Sequence, residues 1–244
     1  MARLLKERYY FYLQITLMHH LLLLHGALGA ADQLQPLAAS LSGNYHVHTL
    51  NFSGHGGETD IEKFTIEAFA DQVLAYLDKQ SIDKINIVGY SMGGYVALYF
   101  AKQHPERIHK IFTLATKFLW TPAIAEQETK MLNADKIAEK IPAFAQALEK
   151  RHQPNDWKKL LTKTAQLMTG LGNHTPLKDE DFEKMDVPVL ISIGDKDNMV
   201  TLEETIHAYR KIKNSNFTVF PKTPHPIEKV NTEKLAREIE AFMQ

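Results

Sequence analysis

The stretch Gly89-Tyr90-Ser91-Met92-Gly93-Gly94 constrains this chain more than any other. An apolar run, Ile85–Val88, leads into it, and an apolar-periodic run, Tyr95–Ala101, leads out. Gly-x-Ser-x-Gly between a strand and a helix makes a turn so sharp that the serine takes strained dihedrals. A side chain at Gly89 or Gly93 would collide with the neighbouring strand or helix. The turn points the hydroxyl outward, and the first backbone N–H groups of the new helix, Met92 among them, face the same space. Helix N-termini stabilise negative charge, so a nucleophile and an anion stabiliser arrive together. Five letters alone occur by chance; the strand before, the helix after and partners in order give them weight.

A serine hydroxyl is a poor nucleophile at neutral pH and needs a base within hydrogen-bond reach, itself oriented by a third group. The chain order to look for is serine, then acid, then histidine. Val189–Ile193 reads as a strand ending in the acidic turn Gly194-Asp195-Lys196-Asp197. Phe217–Phe220 reads as another, ending in Pro221-Lys222-Thr223-Pro224-His225. Two acids compete, because Asp195 equally suits a turn residue that accepts backbone N–H bonds. Among the twelve histidines, His225 stands out by place: after the last strand, before the last helix, between two prolines that stiffen its loop. His207 falls in mid-helix at the surface. His152 and His174 are expected at most to touch substrate, and Glu228 to help hold the His225 loop.

Those residues resemble the α/β-hydrolase superfamily, and the resemblance runs over nearly the whole chain: His25-Gly26 after a strand, Gly54-His55-Gly56, the Ser91 elbow, Gly194-x-x-Asp197, and His225. It implies a doubly wound, mostly parallel sheet with helices on both faces and reactive groups at strand C-terminal ends. It favours Asp197, third after the glycine, as the acid, and implies a catalytic set of Ser91, Asp197 and His225. It also implies that the loop after His25-Gly26 donates a second oxyanion N–H, from Ala27, beside that of Met92.

Reading along the chain, Tyr9–Met18 suggests one or two edge strands before a continuous apolar strand, His20–Leu24. Gln33–Leu41 reads as a helix and Tyr45–Leu50 as a strand. His46 and His48 share one side of it, but no carboxylate or third histidine sits nearby at ligand spacing, so no metal is expected. His55 is read as structural. Ile66, Phe69, Ala70, Val73, Leu74 and Leu77 fall on one helical face. Thr201-x-x-Glu204 is a capping box, and Asn231 caps a closing helix.

From 117 to 186 strands vanish and helix formers dominate. The resemblance makes this a helical lid inserted into a core domain built from 1–116 and 187–244. Phe118, Trp120 and Met168 are its pocket candidates, while most of its other apolar residues are expected to attach its helices to the core.

Bulk properties exclude several functions. With a net charge of −1, nothing favours a polyanionic partner such as nucleic acid. The absence of cysteine rules out disulfides, thiolate metal sites and a cysteine nucleophile. No leader with a cleavage site and no bilayer-spanning run is evident, so a cytoplasmic location is expected.

The expected function is an esterase-like serine hydrolase acting on a small to medium substrate without a cofactor. One alternative is a carbon–carbon bond hydrolase. Another is a lyase resembling the menaquinone-pathway enzyme that makes a cyclohexadiene carboxylate, which shares the His-Gly-x-Leu-Gly loop and the Gly-Tyr-Ser-Met-Gly-Gly elbow. Its anionic substrate calls for arginines, and 117–186 offers Arg151 among many lysines. A non-catalytic ligand-binding member is the third alternative.

Overall fold

Four consecutive leucines, Leu21–Leu24, are fully buried, which a strand achieves only when both faces of its sheet are covered. The computed structural model describes residues 18–244; the edge strands expected over Tyr9–Met18 fall, but for Met18, outside it. Strand β1 (His20–Leu24) divides its leucines between two cores. Leu22 and Leu24 join one face with Phe69, Val73, Val96 and Phe100. Leu21 and Leu23 join the other with Leu37, Leu41, Leu235 and Ile239. Each buried leucine contributes roughly 1.5–3 kcal/mol, so this run anchors the centre of the sheet between two cores.

The remaining strands are β2 (His46–Leu50), β3 (Ile85–Tyr90), β4 (Ile108–Leu114), β5 (Val189–Gly194) and β6 (Ser215–Phe220). They form one sheet in the order β2-β1-β3-β4-β5-β6, every pair parallel. Helices α1 (Gln35–Leu41), α2 (Ile66–Lys79) and α3 (Met92–Gln103) connect the first strands. The predicted stripe of α2 is buried at Ile66, Phe69, Ala70, Val73 and Leu77. The segment read as one helix over Gln33–Leu41 starts instead as a 3₁₀ turn, Ala31–Leu34, with Pro36 in the first turn of α1.

Between β4 and β5 lie five helices: α4 (Pro122–Thr129), α5 (Ala134–Lys140), α6 (Pro142–His152), α7 (Trp157–Asn173) and α8 (Asp179–Glu183). Ile137, Ala145, Leu148, Trp157 and Leu161 form a small core of their own. Leu160, Leu167 and Leu171 of α7 instead enter the main core, so α7 packs both ways. Helices α9 (Leu202–Lys211) and α10 (Thr232–Met243) complete the chain. Thr201 and Glu204 cap α9 reciprocally, at 3.2 and 3.1 Å. Glu204 also accepts from the Phe118 N–H at 2.9 Å, tying α9 to the segment that follows β4. Among the described residues no helix is long and apolar enough to cross a membrane.

Candidate active site

Ser91 sits between β3 and α3 with φ 51° and ψ −116°, a left-handed conformation that costs a non-glycine residue about 1–3 kcal/mol. Surrounding backbone holds it there. Its N–H donates to Leu114 O at 2.8 Å and its carbonyl accepts from Gly94 N–H at 3.0 Å. A Cβ on Gly89 would strike Gly94, and one on Gly93 would strike the Leu24 and His25 carbonyls, so both glycines are required by close approach.

Ser91 Oγ lies 3.3 Å from His225 Nε2, and His225 Nδ1 lies 2.8 Å from Asp197 Oδ2. The other Asp197 oxygen, Oδ1, accepts from the Met199 and Val200 N–H groups, both at 2.9 Å. Burial alone would raise this carboxyl, but the His225 bond and the two backbone donors outweigh it and hold it below the usual carboxylate value. Asp195 is occupied otherwise: its Oδ1 accepts from Thr223 N–H at 3.2 Å, fastening the His225 loop to the end of β5.

Tyr90, a member of the elbow whose partner no local spacing announces, supports the same loop. Its hydroxyl donates to the His225 carbonyl at 3.0 Å, and burial raises its pKa, keeping the phenol protonated. Glu228 accepts from Gln33 Nε2, which ties the His225 loop to the turn before α1.

These groups open on a cavity of about 440 Å³. Ala27 and Met92 line it beside Ser91 and His225, as do Trp120 and Met168. Phe118 is placed elsewhere: it is absent from the cavity lining and packs edge-on against Phe182, ring centroids 6.0 Å apart. Arg151, the only arginine on the cavity wall among the described residues, is paired with Asp32 at 3.2 Å. His207 bonds Asp179 at 2.9 Å on the surface.

The histidines expected on the solvent side of β2 are half-buried, and β1 brings a third beside them: His20 stands in register with His46, and its Nδ1 lies 2.8 Å from His48 Nε2. Among the described residues, no group of three or more histidine, cysteine or acidic side chains is arranged to hold a metal ion.

His25, His55 and His152 are wholly buried and gathered below the loop that carries Ala27. Burial pushes His25 down to about 4, the bond to Gly26 opposing and His152 and Arg151 adding to the shift. Burial likewise holds His55 well below, and His152 below, the ordinary imidazole value. Between the ordinary value of 6.5 and the folded one, the unfolded chain binds a proton that the folded chain refuses. Stability therefore falls as pH drops through that window, by on the order of 3 kcal/mol for His25 alone. Melting temperature measured from pH 7 to pH 4 is expected to fall steeply, with uptake of more than one proton on unfolding. A flat profile over that range would contradict three neutral imidazoles.

A sequence profile described as the alpha/beta hydrolase fold matches residues 19–187, and the chain belongs to that family: it is an enzyme of the α/β-hydrolase class. Its similarity extends to named relatives. It is 28% identical over 223 residues to a pimeloyl-[acyl-carrier protein] methyl ester esterase of Neisseria meningitidis, covering 83% of this chain and 85% of that one. It is 26% identical to the enzyme of the same name from Aliivibrio salmonicida, covering 92% of each. The fold also matches the enol-lactonase of Burkholderia xenovorans with a TM-score of 0.75 at 18% identity, over 93% of this chain and 91% of that one.

Proposed function

We propose that this protein is a serine hydrolase that cleaves an ester of a small to medium substrate through an acyl-enzyme. In this reading Ser91 Oγ attacks the carbonyl carbon while His225 takes its proton. Asp197 holds the imidazole in the tautomer that leaves Nε2 free to accept, and stabilises the cation that forms. The Ala27 and Met92 N–H groups receive the developing oxyanion. His225 returns its proton to the departing alcohol. It then takes a proton from water, whose oxygen attacks the acyl carbon, and gives that proton to Ser91 Oγ as the acyl–oxygen bond breaks and the acid leaves. The general base contributes about 10²–10⁴ in rate, and an oxyanion donor about another 10²–10³. A Ser–His distance of 3.3 Å suits a resting site that tightens when substrate arrives.

The observation that carries this reading is the continuous chain Asp197–His225–Ser91 opening on an apolar-walled cavity beside the start of α3. Helices α4–α8, residues 117–186, serve in it as a lid over a core of 1–116 and 187–244. The lid excludes water and selects the acyl group. A lyase acting on an anionic substrate is less well supported, because Arg151 is already engaged by Asp32. The relatives named for a methyl ester of a carrier-bound acyl chain make straight-chain acyl esters the substrates to try first.

A series of p-nitrophenyl esters of rising chain length, run beside fluorophosphonate labelling with the adduct mapped by mass spectrometry, tests the proposal. Turnover of at least one chain length and an adduct on Ser91 are expected. Labelling without any ester turnover would move the assignment to a carbon–carbon bond hydrolase or a lyase; an adduct on another residue would end it.

A further inference from the structure

Leu28 lies in the turn that carries Ala27, with φ 58°, and that turn is closed by Gly29 N–H donating to Gly26 O at 3.1 Å. The third position of such a turn, when left-handed, is glycine's place, and a leucine there is strained by its Cβ. Something outside the turn has to hold it.

Two imidazoles do so, one on each side of Ala27. His25 Nδ1 bonds Gly26 O at 2.8 Å, and His152 Nε2 bonds Leu28 O at 3.0 Å. The tautomers are fixed by backbone. Phe52 N–H donates to His25 Nε2 at 3.1 Å, and Gly56 N–H donates to His152 Nδ1 at 3.0 Å. Each ring must therefore carry its proton on the nitrogen facing the Ala27 loop. His55 packs against both rings, centroids 5.1 and 5.7 Å away.

The two grips differ in origin. His25 belongs to the loop after β1, whereas His152 is the last residue of α6, inside the 117–186 insertion. The same helix lines the cavity with Phe144, Ala147 and Arg151. A ligand in the cavity would therefore meet the helix whose end holds the Leu28 carbonyl.

We propose that His152 is a positioning residue: its Nε2–H to Leu28 O bond holds the strained turn so that the Ala27 N–H is aimed at the oxyanion, which couples seating of α6 to catalysis. The inference rests on the proposed role of Ala27 beside Ser91. Removing the imidazole leaves α6 otherwise docked, through Arg151 to Asp32 at 3.2 Å and through Asn155 Nδ2 to the Gly54 and Glu58 carbonyls at 3.3 and 2.6 Å. The variants are therefore expected to fold.

Glutamine and asparagine separate the two bonds of His152. A glutamine amide nitrogen reaches the place of Nε2 and still donates to Leu28 O. An asparagine reaches only the place of Nδ1, where its oxygen still accepts from Gly56 N–H. Saturation kinetics on the best p-nitrophenyl ester are expected to give His152→Gln a kcat within about 5-fold of the parent. His152→Asn and His152→Phe should lose about 10- to 100-fold in kcat, the scale of a misplaced catalytic group, with KM changed less than about 3-fold. Equal kcat for the Asn and Gln variants, or a loss carried wholly by KM, would overturn the coupling. Turnover without the Asn–Gln contrast overturns this inference alone. A parent with no ester turnover and no adduct on Ser91 overturns it together with the proposed function.

Discussion

Ser91→Ala is expected to lower ester kcat by about 10⁴- to 10⁶-fold and to abolish fluorophosphonate labelling, while the melting temperature stays within a few degrees of the parent. The size follows from groups that act as a unit: loss of the nucleophile removes covalent chemistry, and the residual rate over water comes from the oxyanion donors and binding. The intact fold follows from what holds the elbow. Its anchors, Ser91 N–H to Leu114 O and Gly94 N–H to Ser91 O, are backbone bonds, and Thr116 Oγ1 also bonds the Ser91 carbonyl rather than its side chain. Alanine keeps all three, and keeps the strain as well, since the Cβ is unchanged. Persistent labelling, or a kcat loss under 10-fold, would show that the nucleophile lies elsewhere.

The second large effect is expected at Asp197. Asp197→Asn is predicted to reduce kcat/KM by about 10⁴ near neutral pH, the scale of a histidine held in its wrong tautomer. Here the surroundings dictate the outcome. Met199 and Val200 N–H groups both donate to Oδ1, so an asparagine must turn its oxygen toward them and its NH₂ toward His225. That NH₂ then donates to Nδ1, which drives the ring proton onto Nε2, where it faces Ser91 and blocks proton abstraction. Saturation kinetics of the asparagine variant beside Asp195→Asn provide the check. Among the described residues, the Asp195 side chain pairs with the Thr223 N–H and Lys196 and does not reach His225, so its variant should lose far less. If the two variants fall equally, the acid has been misassigned.

What could be read from the sequence was what local geometry demands. The elbow needs glycine where backbone approaches backbone, so Gly89 and Gly93 bracket Ser91 at fixed spacing and declare the turn. The leucine run of β1 declares burial on both faces, and the stripe of α2 declares one. Thr201 and Glu204 announce a helix start because the two members of the cap lie three positions apart. Contacts across the fold carry no such spacing. Nothing near residue 118 or 120 decides that Trp120 faces the cavity while Phe118 turns to Phe182. His152 was legible as part of a helical segment but not as a partner of Leu28 and Gly56, which lie 124 and 96 positions away. Tyr90 likewise meets His225 across 135 positions, and parallel pairing alone sets His20 beside His46.

Strand order also gives the chain a timetable. Domains fold from the N-terminus as they are made, and Ser91 follows β3 while, on the proposed assignment, its acid and base follow β5 and β6. A copy still on the ribosome, with β1–β4 and helices α4–α8 already released, would present Ser91 without the imidazole proposed to activate it. On that assignment, nascent protein is expected to be inert toward surrounding esters, with reactivity arising when β6 docks at the sheet's edge.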